Sequence, residues 1–226
     1  MPRLLPLLAA CLLPLPALAS PRVLLELFTS QSCSSCPPAD ALLAELAQQP
    51  GVVALDLHVT YWDRTGWKDR YSLPEATARQ QSYATLFGSD EVYTPQLIAG
   101  GRFQAVGSDA AAVRNAIAAA RAEAARDDVP VTLEATPDGL RVATAAGSGA
   151  GTLYLVGLDP RHVTTIGGGE NAGRQLTEVN VVRSLHPVAA WSGQAIRLDV
   201  PRPPGQDAVA FLQARDGRVL GVATAP

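Results

Sequence analysis

Cys33 and Cys36 are separated by two serines and followed by Pro37-Pro38. Two sulfurs at that spacing can close a small-ring disulfide and open it again, one thiolate attacking and the other thiol resolving. The same spacing also suits a static disulfide or half of a zinc site. A structural zinc would need two more good ligands, and His58, His162 and His186 lie at no paired spacing with another His or Cys, so none is expected. Copper(I) held by the two thiolates and His58 is an alternative on ligand softness, without thioether support, since the single methionine is Met1. No resident cofactor is expected.

Exchange chemistry needs the motif on a strand-to-helix connection. Arg22 to Thr29 is strand-like, and Val23 to Phe28 within it is a nearly continuous apolar run, the pattern of a strand buried on both faces. Glu26 interrupts it, either as an edge carboxylate facing solvent or as a buried acid that transfers a proton near the sulfurs. Ala39 to Gln48 predicts a helix, with Leu42, Leu43 and Leu46 as its apolar stripe and Pro50-Gly51 as its stop. The two prolines disfavour helical geometry at Cys36 and Pro37, which places the motif in a loop ahead of the helix and weakens the dipole's effect on Cys33. Residues 53–59 alternate as a strand and put Asp56 and His58 on one face, as a structural pair or a proton relay.

Residues 61–93 are rich in aromatics and include a helical segment from Pro74 to Leu86. Trp62 and Trp67 either pack this segment onto the sheet or form a ledge that receives a peptide or small thiol. Thr94-Pro95 precedes a hairpin with a Gly100-Gly101 turn, and Pro95 is a candidate for a cis bond or tight turn. Ser108-Asp109 caps an Ala-rich helix reaching about Arg126.

Beyond Asp127-Asp128-Val129-Pro130 the texture becomes all-β, with about seven short strands that suggest an antiparallel sandwich. The loop around Gly167-Gly168-Gly169 lacks the spacing and the crossover of a dinucleotide site. It reads as a mobile or docking loop with Glu170, Asn171, Arg174 and, further on, Arg183 as polar contacts; Glu170 and Arg174 are expected to reach across the junction, closing one wall of a cleft near Cys36 and the aromatic insert.

The 226 residues are 47% hydrophobic and 17% charged, with net charge −3, which suits a folded chain and argues against nucleic acid as a partner. Residues 1–19 have the build of an export signal cleaved near Ala19-Ser20; lipidation at Cys11 is the competing expectation. A secreted or periplasmic location follows, where the two remaining cysteines would be joined, with no stable membrane anchor. The sequence sets no oligomeric state.

The order strand, Cys-x-x-Cys, helix, strand, helical insert, Thr-Pro, two strands and helix resembles a thioredoxin fold. That resemblance implies that Cys33 attacks, Cys36 resolves, and Thr94-Pro95, with a cis bond, lies against the motif as the substrate loop. Ser32 stands where that family carries Trp, and Glu26 lies one residue upstream of its buried acid. A second resemblance spans nearly the whole chain. Leu27 to Asp40, Tyr61-Trp62-Asp63, Tyr93 to Gln96, Gly169-Glu170-Asn171, Gly173-Arg174 and Asn180 to Arg183 are similar to a secreted family catalogued as domain of unknown function 1223, with Thr60 where an Asp is expected. The implied architecture is a thioredoxin-like α/β domain over 20–128 (βαβ, helical insert about 60–90, ββα), then a small antiparallel β-sandwich over 129–226. The implied function is thiol–disulfide exchange with protein or small-molecule thiols and disulfides. The alternatives are a non-catalytic binding protein with a structural disulfide, or a copper(I)-handling protein.

Overall fold

The structure, a computed structural model, describes residues 22–226; the expected export signal and Cys11 lie outside the described residues. Strand β1 (Val23–Thr29) is buried along its whole length, because both its faces are covered. It pairs in parallel with β2 (Val52–His58) and antiparallel with β3 (Gln96–Ala99), which turns into β4 (Phe103–Val106). Helices α1 (Pro37–Leu46) and α3 (Ala110–Asp127) cover one face, where Leu25 and Leu27 meet Leu43, Leu46, Val113 and Ile117. Helix α2 (Pro74–Leu86) lies on the other face, where Leu24, Phe28 and Leu57 meet Tyr83. Asp109 caps α3 by accepting hydrogen bonds from the Ala111 and Ala112 amides.

The second half contributes β5 (Val131–Thr136), β6 (Gly139–Thr144) and β9 (Ile196–Val200), which form a three-stranded antiparallel sheet. The other four strands are β7 (Gly151–Thr165), β8 (Gln175–Trp191), β10 (Asp207–Ala214) and β11 (Val219–Ala225). They join the first half in one eight-stranded mixed sheet of order β11-β10-β7-β8-β2-β1-β3-β4. The small sheet packs over its far end, with Leu133, Leu140 and Val142 against Leu153, Leu212 and Trp191.

The sandwich is therefore not an independent unit set beside an α/β domain, because one of its layers continues the α/β sheet. The seam is narrow: Asp56 pairs with Val181, and the Asn180 side-chain amide donates to the Ala54 carbonyl. The physical reason lies at β2. Without β8 it would be an edge strand with unpaired backbone groups. The apolar side of β1 and β2 also needs Val156, Val182 and Phe211 as cover.

The β7–β8 ribbon is much longer than the sequence suggests. It continues through Pro160, which is exposed and lies opposite Asn180, a residue at φ 53°. Irregularities at Leu153/Tyr154 and Gly157/Leu158 let it bend, and its tip is the glycine-rich loop 166–174.

Candidate functional site

Cys33 and Cys36 form a disulfide with their Cα atoms 5.4 Å apart. Both residues are 0% exposed, while Ser34 and Ser35 face solvent. The loop expected ahead of the helix is corrected here. Cys36 is itself helical, at φ −79° and ψ −37°, and caps α1, which starts at Pro37. Proline fits the first helical position, where no donor is required. The Ala39 and Asp40 amides both donate to the Cys36 carbonyl, at 2.8 and 3.1 Å, and hold the turn. Consequently the first turn offers no free amide to a thiolate: Pro37 and Pro38 have none, and the next two are used. The Ser35 hydroxyl donates to Cys33 Sγ at 3.4 Å instead.

The loop 166–174 folds over this turn. Glu170 accepts hydrogen bonds from the Ser34 amide (3.2 Å) and the Ser34 hydroxyl (2.6 Å), which hold its carboxyl below the usual range. Asn171, fully buried, donates to the carbonyls of Gln31 (3.0 Å) and Cys33 (2.9 Å), and Arg174 donates to the Asn171 side-chain oxygen at 2.8 Å. Arg183 is not part of this group: it donates to Asp159 at 2.7 Å and lies over the Tyr71 ring.

Trp67 borders the motif from the insert. Its indole N–H donates to Gln31 Oε1 at 3.0 Å, and its carbonyl accepts from the Ser32 hydroxyl at 2.8 Å. The Trp62 indole donates to Thr94 Oγ1 at 2.8 Å, and its ring packs on the core. The Thr94–Pro95 bond is cis. Because Phe28 pairs with Gln96, Pro95 sits level with Thr29, at the end of β1 from which the motif leaves. Gly107 allows this approach: a Cβ there would fall 2.7 Å from Leu27 Cδ1, 3.1 Å from Ala39 Cβ and 3.2 Å from Pro95 Cβ.

Glu26 is buried, so the edge reading is overturned, but it is not beside the disulfide. Alternation along β1 turns it with Leu24 and Phe28 to the α2 face, away from α1. There the Arg79 guanidinium clasps it through two nitrogens and the Tyr83 hydroxyl donates to it. Its position serves an ion pair between β1 and α2 instead of proton transfer to a sulfur.

The acids near the motif are different ones. Asp40, on the first turn of α1, accepts from the Thr29 hydroxyl at 2.8 Å. His58 Nδ1 lies 2.7 Å from Asp69, and its Nε2 lies 3.4 Å from Asp56 and 4.0 Å from Glu178. Burial opposes charge on His58, but Asp69 and Asp56 outweigh it and lift its pKa well above the usual value. Burial raises Asp40 and Asp56 and pushes Glu178 up to about 7; Asp69, despite burial, is lowered by His58 and by the Gln31 and Tyr71 amides. Gln31 links the cluster to the disulfide loop: its amide donates to Asp69 (2.8 Å) and its side chain to Glu178 (3.0 Å).

The predicted Asp56–His58 pair is thus two members of a larger set. Asp69 and Glu178 lie 11 and 120 residues from His58, and neither carries a periodic signal pointing to it. The copper arrangement is not present: the sulfurs are bonded to each other and both His58 nitrogens face carboxylates. Among the described residues no group of three or more His, Cys, Asp or Glu is placed to hold a metal ion, and no helix is long and apolar enough to cross a membrane.

A family model described as "Protein of unknown function (DUF1223)" matches residues 24–213. No curated protein matches the chain. The crystal structure of protein AGR_C_4864 from Agrobacterium tumefaciens is similar at TM-score 0.81 and 28% identity, over 92% of this chain and 95% of that one. HBP35 of Porphyromonas gingivalis is similar in fold at TM-score 0.61 and 15% identity, over 91% of this chain and 75% of its own.

Proposed function

The chain belongs to the DUF1223 family of unknown function, and from that premise, which assigns no activity, we propose that it is a thiol–disulfide oxidoreductase exported from the cytoplasm. The observation that carries the reading is the Cys33–Cys36 disulfide on the capping turn of α1, with the Thr94–Pro95 segment level with the end of the strand that feeds it. In the reduced protein the Cys33 thiolate, with the Ser35 hydroxyl as donor, attacks a partner disulfide; a mixed disulfide forms and the partner's second sulfur leaves as thiolate. Cys36 then attacks the mixed bond, closes the Cys33–Cys36 ring and releases the partner as a dithiol. Two electrons pass to the partner.

Complete burial of both cysteines favours a second reading, a static disulfide in a binding protein. Equilibration of the mature protein with glutathione separates the two. A potential above roughly −300 mV fits exchange, and a lower one makes the disulfide structural.

A further inference from the structure

We infer that the tip of the β7–β8 ribbon, residues 166–174, is a lid on the Cys33–Cys36 disulfide, with Glu170 on Ser34 as its latch, so that exchange proceeds only from a lid-open state. The inference rests on the exchange reading above and adds its control.

The tip is built to move as one piece. Its backbone hydrogen bonds are internal: Ile166 N–H to the Arg174 carbonyl, Gly173 N–H to Ile166, Ala172 N–H to Gly169 and Arg174 N–H to Asn171. What ties it to the disulfide turn is side-chain bonding from Glu170 and Asn171, with Arg174 steadying Asn171 from within the tip. Packing adds a seat. Gly168 approaches Gly66 so closely that a Cβ on it would fall 2.4 Å from the Gly66 carbonyl oxygen, and a Cβ on Gly169 would fall 3.3 Å from Trp67 Cβ. Swinging the tip away breaks these side-chain bonds, unseats the glycines from Gly66 and Trp67 and uncovers Ile166, which is 1% exposed, but it breaks no ladder bond of β7–β8.

The same bonds occupy the groups that an incoming partner needs. Asn171 takes the Cys33 carbonyl, Glu170 takes the Ser34 amide, and the sulfurs behind them have no exposed surface. A thiolate must approach a disulfide along the S–S axis, which a 0% exposed pair does not permit.

The test is the rate of reduction by dithiothreitol, followed by intrinsic tryptophan fluorescence. One dithiothreitol thiolate attacks Cys33 Sγ and the S–S bond breaks. Cys36 leaves as thiolate and takes a proton from water. The second dithiothreitol thiol, as its thiolate, then displaces Cys33, and dithiothreitol ends as the cyclic disulfide, having given two electrons. Glu170→Gln should react roughly threefold faster than the unaltered protein, the scale of an exposed charged contact. Asn171→Ala, which removes two buried hydrogen bonds, should react on the order of tenfold faster. Both variants reacting at the unaltered rate would overturn the lid. If Asn171→Ala does not fold, hydrogen exchange on the unaltered protein decides: the Ser34 amide must open well before global unfolding, and exchange only through global unfolding rejects the lid. The reduction potential measured on the same samples belongs to the exchange reading. A value below roughly −300 mV removes exchange as the function and leaves the kinetic result on the lid intact.

Discussion

His58 is the residue whose surroundings differ most from what its neighbours in sequence suggest. Four acids converge on its part of the core: Asp40, Asp56, Asp69 and Glu178. Histidine and the three raised acids hold protons in the folded state that they would release in the unfolded chain. Folded protein therefore binds more protons from about pH 4.5, where an ordinary glutamate ionises, through the Glu178 value of about 7 and on to the raised His58 value. Stability must fall as pH rises across that window. Asp69 works the other way, but only below its usual 3.8, since its pKa is lowered. Urea unfolding of the oxidised protein at pH 5 and pH 8 should show the loss, with Glu178 responsible for on the order of 2–3 kcal/mol. Glu178→Gln should flatten the slope below about pH 7. A rising or unchanged midpoint in the unaltered protein would show that the cluster is not protonated as described. At the sulfurs, the Cys33 thiolate of Cys36→Ser should attack a partner disulfide, expel one of its sulfurs as thiolate and accumulate as the mixed disulfide, whereas Cys33→Ser should trap little. Equal trapping would remove Cys33 as the nucleophile.

Between elements, the main polar contact is the Glu26–Arg79 pair joining β1 to α2. The Arg79 guanidinium also donates to Gln213 of β10 at 3.1 Å and lies 4.9–5.1 Å from the ring centres of Tyr83, Tyr154 and Phe211. Removing one partner leaves a buried charge uncompensated, which costs about 3–5 kcal/mol. Arg79→Met alone should lower stability by that amount. The double variant Glu26→Leu, Arg79→Met should be less destabilised than Arg79→Met, because no charge is stranded. Denaturant midpoints check this, and a double variant worse than the single one would mean that packing around the rings, not the charge, dominates. Asp69 plays a comparable part for the loop that carries the disulfide. It accepts from the Gln31 amide (2.8 Å), the Tyr71 amide (2.9 Å) and His58 Nδ1 (2.7 Å). Asp69→Ala strands three buried donors and should cost about 3 kcal/mol or more in the same assay.

Across the whole molecule, the shared sheet makes the two halves depend on each other. The core on the α2 side combines Leu24, Phe28 and Leu57 of the first half with Val156, Val182 and Phe211 of the second. A fragment ending at Asp128 would expose that apolar face and the outer edge of β2. Expressed alone, residues 22–128 should aggregate or lack a cooperative unfolding transition. In the intact protein, fluorescence dominated by Trp62 and Trp67 should lose native structure together with that of Trp191, which is buried in the sandwich core. Single-tryptophan variants followed in urea would show this, and two separate midpoints would count against a shared core.

Local signals in the chain were enough for the order of strands and helices, and for the disulfide pair, because strand alternation, helix periodicity, glycine turns and proline positions act within a few residues. The ends of α2 and the Asp109 cap of α3 follow from the same rules. Geometry at Cys36 did not, since the Ala39 and Asp40 amides close helical bonds onto its carbonyl that outweigh the local proline bias. Glu26 was legible as an anomaly, but its partner was not: Arg79 lies 53 residues away and reaches it only across the face set by strand alternation. Glu170 and Asn171 stood out by composition, yet their target depended on a long bent ribbon that carries them across β2. The sequence by itself determined which segments are strand or helix and which two sulfurs join. Only the tertiary structure decided that the second half completes the first half's sheet, lays its ribbon tip on the disulfide turn and adds Glu178 to the acids around His58. Those outcomes come from burying apolar faces and strand edges that no short window of sequence can pair.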